Sequence, residues 1–193
     1  MEHAERQALI AELRDFPRQL ESLVGALGDD DLCTAWEPGE WTVAQNVHHL
    51  LDSHLHCYLR CRRILAEEGA LLQPYDQDAW ALLPDARSAD IGDTLADLAR
   101  LHRRWAAFFS RLGEDRAAWE RSGLHPEAGR VTLEGILRSY TEHGRAHLAQ
   151  IGRCLAARPT PPPLPLPPTV PALCLYADPK AEPPRLRQQS PGD

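Results

Sequence analysis

The sequence predicts an all-α protein, a four-helix bundle with a proline-rich C-terminal tail. Three observations point there. Four long segments within residues 1–158 place apolar residues three and four apart, the period of a helix buried on one face, and none of them alternates as a strand would. Some of the connections between those segments are long, and four amphipathic helices joined in this way pack most simply as a bundle. Finally, 12 of the 17 prolines fall between Pro159 and Pro191, a density that neither a helix nor a central strand tolerates. The chain therefore divides into a body, 1–158, and a tail, 159–193, expected to be extended polyproline or disordered.

The first helix is expected from about His3 to Leu27, with Ile10, Leu13, Leu20, Leu23, Val24 and Leu27 inward. Pro17 lies inside it, and its ring should kink or split the helix by displacing the carbonyl four residues back. The second begins behind Thr42, a good N-cap, and runs to about Glu68, just before Gly69. The loop QPYDQDAWALLPD follows, bounded by Pro74 and Pro84, with room for a short helix. The third helix spans about Asp90 to Leu112, with Leu95, Leu98, Leu101, His102, Trp105, Phe108, Phe109 and Leu112 on one face and Gly113 behind it. RSGLHPEAGR then offers turn residues and little periodicity. The fourth helix runs from Thr132 to about Ala157 and is stopped by Pro159.

Composition narrows the function classes. The formal charge is −7, and because the tail's charges cancel, the whole of it sits on the body. An acidic body without a basic patch argues against nucleic acid or an anionic membrane as partner, since both require clustered Lys and Arg. No apolar run approaches the ~18 residues of a membrane span, and the start, MEHAERQALI, lacks the apolar core of a signal peptide. A cytoplasmic location is expected. The five cysteines are odd in number, widely spread and without a CxxC pair, which argues against a disulfide framework. Cys57 and Cys61 share a helical face with Leu50, His54, Tyr58 and Leu65 and read as core.

The nine histidines are placed unevenly: four fall within VHHLLDSHLH and two within EHGRAHL. His143 and His147, four apart, project from one helical face a turn apart, the arrangement two imidazoles need to share a metal ion at ~2.0–2.1 Å. They lie beside the apolar stripe of Ile136, Tyr140, Ile151 and Cys154, so they point inward, where neutral, metal-bound rings are cheaper to bury than protonated ones. On the second helix the apolar stripe Val43, Val47, Leu50, Leu51, His54, Tyr58 and Cys61 is flanked by a polar one, Gln45, His49, Asp52 and His56. A third histidine from this helix would complete three protein ligands with one position open, the pattern of a catalytic site. Spacing alone leaves His48, His49 and His54 as alternatives for it.

WTVAQNVHHLLDSHLHCYLR, QPYDQDAWALLPDA, LHRRW, HPEAGR and YTEHGRAHLAQI occur in the order seen in the DinB/YfiT-like superfamily, and with the proline inside the first helix the body resembles its YfiT branch. That branch carries the name of metal-dependent hydrolases and includes bacillithiol S-transferase. The resemblance implies a four-helix bundle holding a divalent metal, zinc or nickel, on three histidines. Carried over by motif, these are His49, His143 and His147. The sequence departs from the branch at Ala146 and Gln150, where HGRHHxAHI is common; neither position is a ligand in the family pattern.

Further roles follow as candidates. Asp52, one turn from His49, is placed to accept its free ring N–H. Tyr75, Asp76 and Trp80 lie in the loop expected to cover the open metal position and are candidate substrate contacts, or else a helix start and a core tryptophan. His125 is a candidate general acid/base or a turn residue, His102 reads as core, and Arg145 is a candidate partner for a substrate carboxylate. A metal there would bring a bound water or thiol to ionise near neutral pH. Two enzyme readings result: transfer of a low-molecular-weight thiol, bacillithiol-like by resemblance, to an electrophilic small molecule, or hydrolysis by water. A non-catalytic metal- or partner-binding protein is the third. A homodimer is expected from the resemblance.

Overall fold

In a computed structural model, which describes residues 1–159, four long helices carry the fold: α1 (His3–Val24), α3 (Val43–Ala66), α5 (Gly92–Ser110) and α7 (Leu133–Ala156). Three short helices lie between them, α2 (Asp29–Cys33), α4 (Gln77–Ala81) and α6 (Arg116–Glu120), with a 3-10 turn at Asp85–Arg87. Two short strands, β1 (Ser122–His125) and β2 (Gly129–Thr132), precede α7. The long helices pack α1 on α5 and α7, and α3 on the same two. The extended or disordered tail expected over 159–193 lies, apart from Pro159, outside the described residues.

Local chemistry sets the ends of the two helices that matter most here. At the start of α3, Thr42 Oγ1 accepts the Gln45 N–H at 3.2 Å and Gln45 Oε1 accepts the Thr42 N–H at 3.0 Å, a reciprocal cap that satisfies two N-terminal donors. Thr132 caps α7 through the Gly135 N–H. Thr42→Ala is expected to lower stability by ~1 kcal/mol, read as a lower melting temperature, with the α3 residues beyond the first turn unmoved.

The bundle interior falls into two apolar clusters. One gathers Leu13, Tyr58, Trp105, Phe109, Trp119 and Leu137; the other gathers Phe16, Leu20, Val47, Leu50, Leu98 and Ile151. Phe109 and Trp119 stack with centroids 5.5 Å apart. The predicted stripe of α5 is the buried one, with His102, Trp105 and Phe109 fully enclosed.

Two expectations are corrected. Pro17 does not split α1, which continues unbroken through it, because the proline is buried and packing on both sides holds the helix. RSGLHPEAGR is not merely a turn: it forms the antiparallel hairpin β1–β2, with Ser122 paired to Thr132 and His125 to Gly129. Its hold on the body is a backbone exchange outside the hairpin, Leu72 N–H to the Leu124 carbonyl and Leu124 N–H to the Ala70 carbonyl. Gly123 makes that approach possible, since a Cβ there would sit 2.8 Å from the Ala70 carbonyl oxygen.

Candidate metal centre

α3 and α7 bring three histidines to one point. Nitrogens of His49, His143 and His147 all lie within 4.8 Å of one another, and the Nε2 atoms of His143 and His147 are 3.2 Å apart. Nitrogens bonded at ~2.0–2.1 Å to one tetrahedral ion would lie about 3.3 Å apart, so this separation suits a shared cation. Nε2 of His49 is buried and has no hydrogen-bond partner. A buried polar atom left so costs about 1–3 kcal/mol, which a metal bond there would offset. The residues present therefore fit a divalent ion.

Neighbours fix the rings. Asn46 Nδ2 donates to the Thr42 carbonyl at 2.9 Å, which turns its Oδ1 toward His147 to accept Nδ1–H at 2.8 Å. Nε2 of His147 is then left as a lone pair. Nδ1 of His143 meets His54 Nε2 at 3.1 Å, His54 Nδ1 meets His102 Nε2 at 2.7 Å, and His102 Nδ1 meets the Leu13 carbonyl at 2.5 Å. Trp41 closes one side, with its ring 4.8 Å from His49, and Tyr140 lies 5.3 Å from His143. Gly144, beside His143, admits the Phe16 ring of α1 where a Cβ would come within 2.8 Å of it, and Phe16 in turn stacks on His102.

Burial, reinforced by the neighbouring imidazoles, holds these rings neutral. It pushes His143 down to about 3 and His49 to about 4, His147 contributing to both. His147 is lowered by burial, and His54, entirely enclosed, falls well below the usual histidine value. Neutral imidazole is the form that binds metal.

The other predicted residues separate into those near this point and those away from it. Tyr75, Asp76 and His125 line, with His143, Ser53, Arg60 and Tyr140, an open cleft of about 840 Å³. A second opening of about 330 Å³ is lined by Trp41, Gln77, His143, His147 and Gln150. Asp76 also caps α4 through the Ala79 N–H, and Nδ1 of His125 accepts the Glu127 and Ala128 N–H groups of the hairpin turn, so each has a structural task besides.

Three expectations are corrected. Asp52 makes no hydrogen bond to His49 among the described residues; burial, with Asp85 nearby, raises its carboxyl above the usual value. Trp80 lines neither opening and is not core; at 37 % exposure it packs on His56 and Tyr75. Arg145 points away, pairing both its Nε and a terminal nitrogen with the Glu12 carboxylate on α1. Two residues along a helix is a rotation of about 200°, which puts Arg145 opposite the ligand-bearing face. His48, an alternative by spacing, instead joins α3 to the Thr94 hydroxyl and the Ser88 carbonyl.

The residues that sequence reasoning did not single out are Asn46, Trp41 and Tyr140, and it read His54 only as stripe and alternative ligand. Asn46 carried a signal in the sequence, an amide three residues before His49 and beside the apolar stripe of Val43, Val47 and Leu50, and the structure buries it completely.

The DinB superfamily model matches residues 12–151. The chain belongs to the DinB superfamily. A Bacillus subtilis protein named "Putative metal-dependent hydrolase YfiT" is 39% identical over 140 residues, 72% of this chain and 78% of that one. A similarly named protein of Oceanobacillus iheyensis is 37% identical over 142 residues, 74% of this chain and 81% of its own length. Among solved structures, YfiT from Bacillus subtilis superposes with a TM-score of 0.76 at 35% identity, covering 80% of this chain and 87% of that chain. It is described as "a probable metal-dependent hydrolase with an unusual four-helix bundle topology". The superfamily member described here shares its fold with the solved YfiT structure, and among its described residues no helix is long and apolar enough to cross a membrane.

Proposed function

We propose that this chain is a divalent-metal enzyme, zinc or nickel being held by Nε2 of His49, His143 and His147, and that it joins a low-molecular-weight thiol to an electrophilic small molecule. The observation that carries the metal is the buried, partnerless Nε2 of His49 aimed at two further imidazoles whose lone pairs face the same point. When bound, the ion supplies acidity: it lowers the pKa of a water or thiol in its remaining position.

What the chain places around that position favours the thiol. The side chains packed on the three rings, Trp41, Asn46, His54 and Tyr140, are uncharged, and the nearby Glu40 carboxylate is engaged by Gln150 at 2.6 Å. Water activation gains from a general base within hydrogen-bond reach. Glu40 lines the smaller opening and Asp76 and Glu127 the larger, but among the described residues no carboxylate hydrogen-bonds to any of the three rings. A thiol, ionising at ~8.5 in free solution, needs only the ion's help. Both openings reach His143, so two reactants have separate approaches.

The hydrolase reading is supported by the names of the relatives and by His125, which lines the larger cleft and is its candidate base. The test is a metal-loaded protein assayed with a chlorinated aromatic electrophile and a panel of thiols, alongside esters and amides without thiol. Thiol transfer is expected to be absent without added thiol and to rise with pH through an apparent pKa well below ~8.5. Ester or amide turnover with no thiol present would reverse the order of the two readings.

A further inference from the structure

A proline in the middle of a buried helix ordinarily only weakens it, yet Pro17 sits in α1 at a position with a distant consequence. Having no N–H, it leaves the Leu13 carbonyl, four residues back, without its helical donor. That carbonyl is the one that accepts His102 Nδ1–H at 2.5 Å. From there the hydrogen bonds run His102 to His54 at 2.7 Å and His54 to His143 at 3.1 Å.

The carbonyl sets the direction of every step. It can only accept, so Nδ1 of His102 donates and, in a neutral ring, Nε2 accepts. His54 then donates from Nδ1 and accepts at Nε2, and His143 donates from Nδ1. The lone pair of His143 is thereby left on Nε2, the atom facing His147 Nε2. The opposite direction would need a second proton on His102, a ring at 0 % exposure with no carboxylate hydrogen-bonded to it. Phe16 and Trp105 pack on both inner rings and keep water from substituting for either bond.

We propose that Pro17, His102 and His54 are positioning residues for His143, fixing which of its nitrogens carries the proton and where the other points. They touch neither substrate nor metal. This rests on reading His143 as a metal ligand. The device is a backbone carbonyl released on one helix to orient a ligand on another.

The test uses the full chain. In the metal-free protein, nitrogen-15 NMR of the imidazoles should show His143 as the Nδ1–H tautomer, and an Nε2–H tautomer would overturn the proposal. By competition with a chromophoric chelator, His102→Phe, which leaves His54 without the partner that directs its proton, should bind zinc about 10-fold more weakly, the low end of what removing a ligand's own hydrogen-bond partner costs. Pro17→Ala restores an N–H that competes for the Leu13 carbonyl, and should weaken zinc binding by about 3–10-fold while the melting temperature holds or rises, since alanine suits a helix interior. A packing role alone predicts altered stability with affinity unchanged. Folded variants that both bind zinc within about twofold of the parent would sink the idea, twofold being less than any such partner contributes. Should His102→Phe fail to fold, Pro17→Ala and the tautomer decide. A parent that binds no zinc would remove the ligand reading, and the tautomer would still decide the hydrogen-bond chain.

Discussion

His147→Ala is expected to strip the ion and abolish turnover while the bundle stays folded. Two imidazoles remain in that variant, and the pair lies on different helices, so the ion exchanges with solvent. The loss in metal affinity should exceed the ~10–100-fold that follows removal of a ligand's hydrogen-bond partner. The fold loses less: Asn46 Oδ1 loses its partner at 2.8 Å, a matter of about 1–3 kcal/mol, while the amide keeps its bond to Thr42. Arg145→Ala is the control from the other side of α7. Its ion pair with Glu12 is exposed and screened by solvent, so the melting temperature should hardly move and metal content not at all. Elemental analysis after dialysis, paired with thermal melts, separates the two. Full metal content in His147→Ala would end the three-histidine reading.

That control also marks where the sequence was readable. The helical period alone gives the inward face of α7 and therefore the pair His143 and His147, and the same arithmetic turns Arg145 outward. Thr42, with Gln45 three residues on, announced the start of α3 through a cap that uses only local atoms. What could not be read locally is what depends on a partner far along the chain. The hairpin strands are four residues each, too short to show a period, and their anchor is Ala70 and Leu72, some fifty residues earlier. Asp52 is at the right spacing to serve His49, but the turn at Asp85 draws its surroundings elsewhere.

His54 and His102 illustrate the same limit more sharply. Each sits in an apolar stripe and is as buried as a leucine, and periodicity treats it as one. Their polarity has a purpose only once α1, α3, α5 and α7 meet, when a carbonyl of one helix and a histidine of another supply the two ends of a chain. Pro17 was legible as a disturbance of α1, and the group that bonds the carbonyl it frees lies on α5.

Acid should release the ion and unfold the bundle together. His49, His102 and His143 have folded-state values near 4, 4 and 3, below the ~6.5 of an exposed imidazole, in each case first because burial penalises the cation. Between those values and 6.5 the unfolded chain binds more protons than the folded one, so stability rises with pH across that window. It is whole above about 6.5 and drains as pH falls toward 4. At pH 5 each such ring accounts for about 2 kcal/mol, and three together approach the ~5–15 kcal/mol that hold an ordinary domain. The metal-free bundle should therefore unfold in a midpoint between about pH 4 and 6. Protons compete for the ligands of the folded protein only near the lower end, so the ion leaves mainly because the site unfolds. Zinc in excess should move the midpoint to lower pH, since it binds the folded chain alone. Far-UV circular dichroism and a zinc indicator, followed in one acid titration, are expected to change at the same pH. Metal-free protein that keeps its helical signal below about pH 3.5, or an ion released a full unit above unfolding, would show that these buried rings do not govern stability.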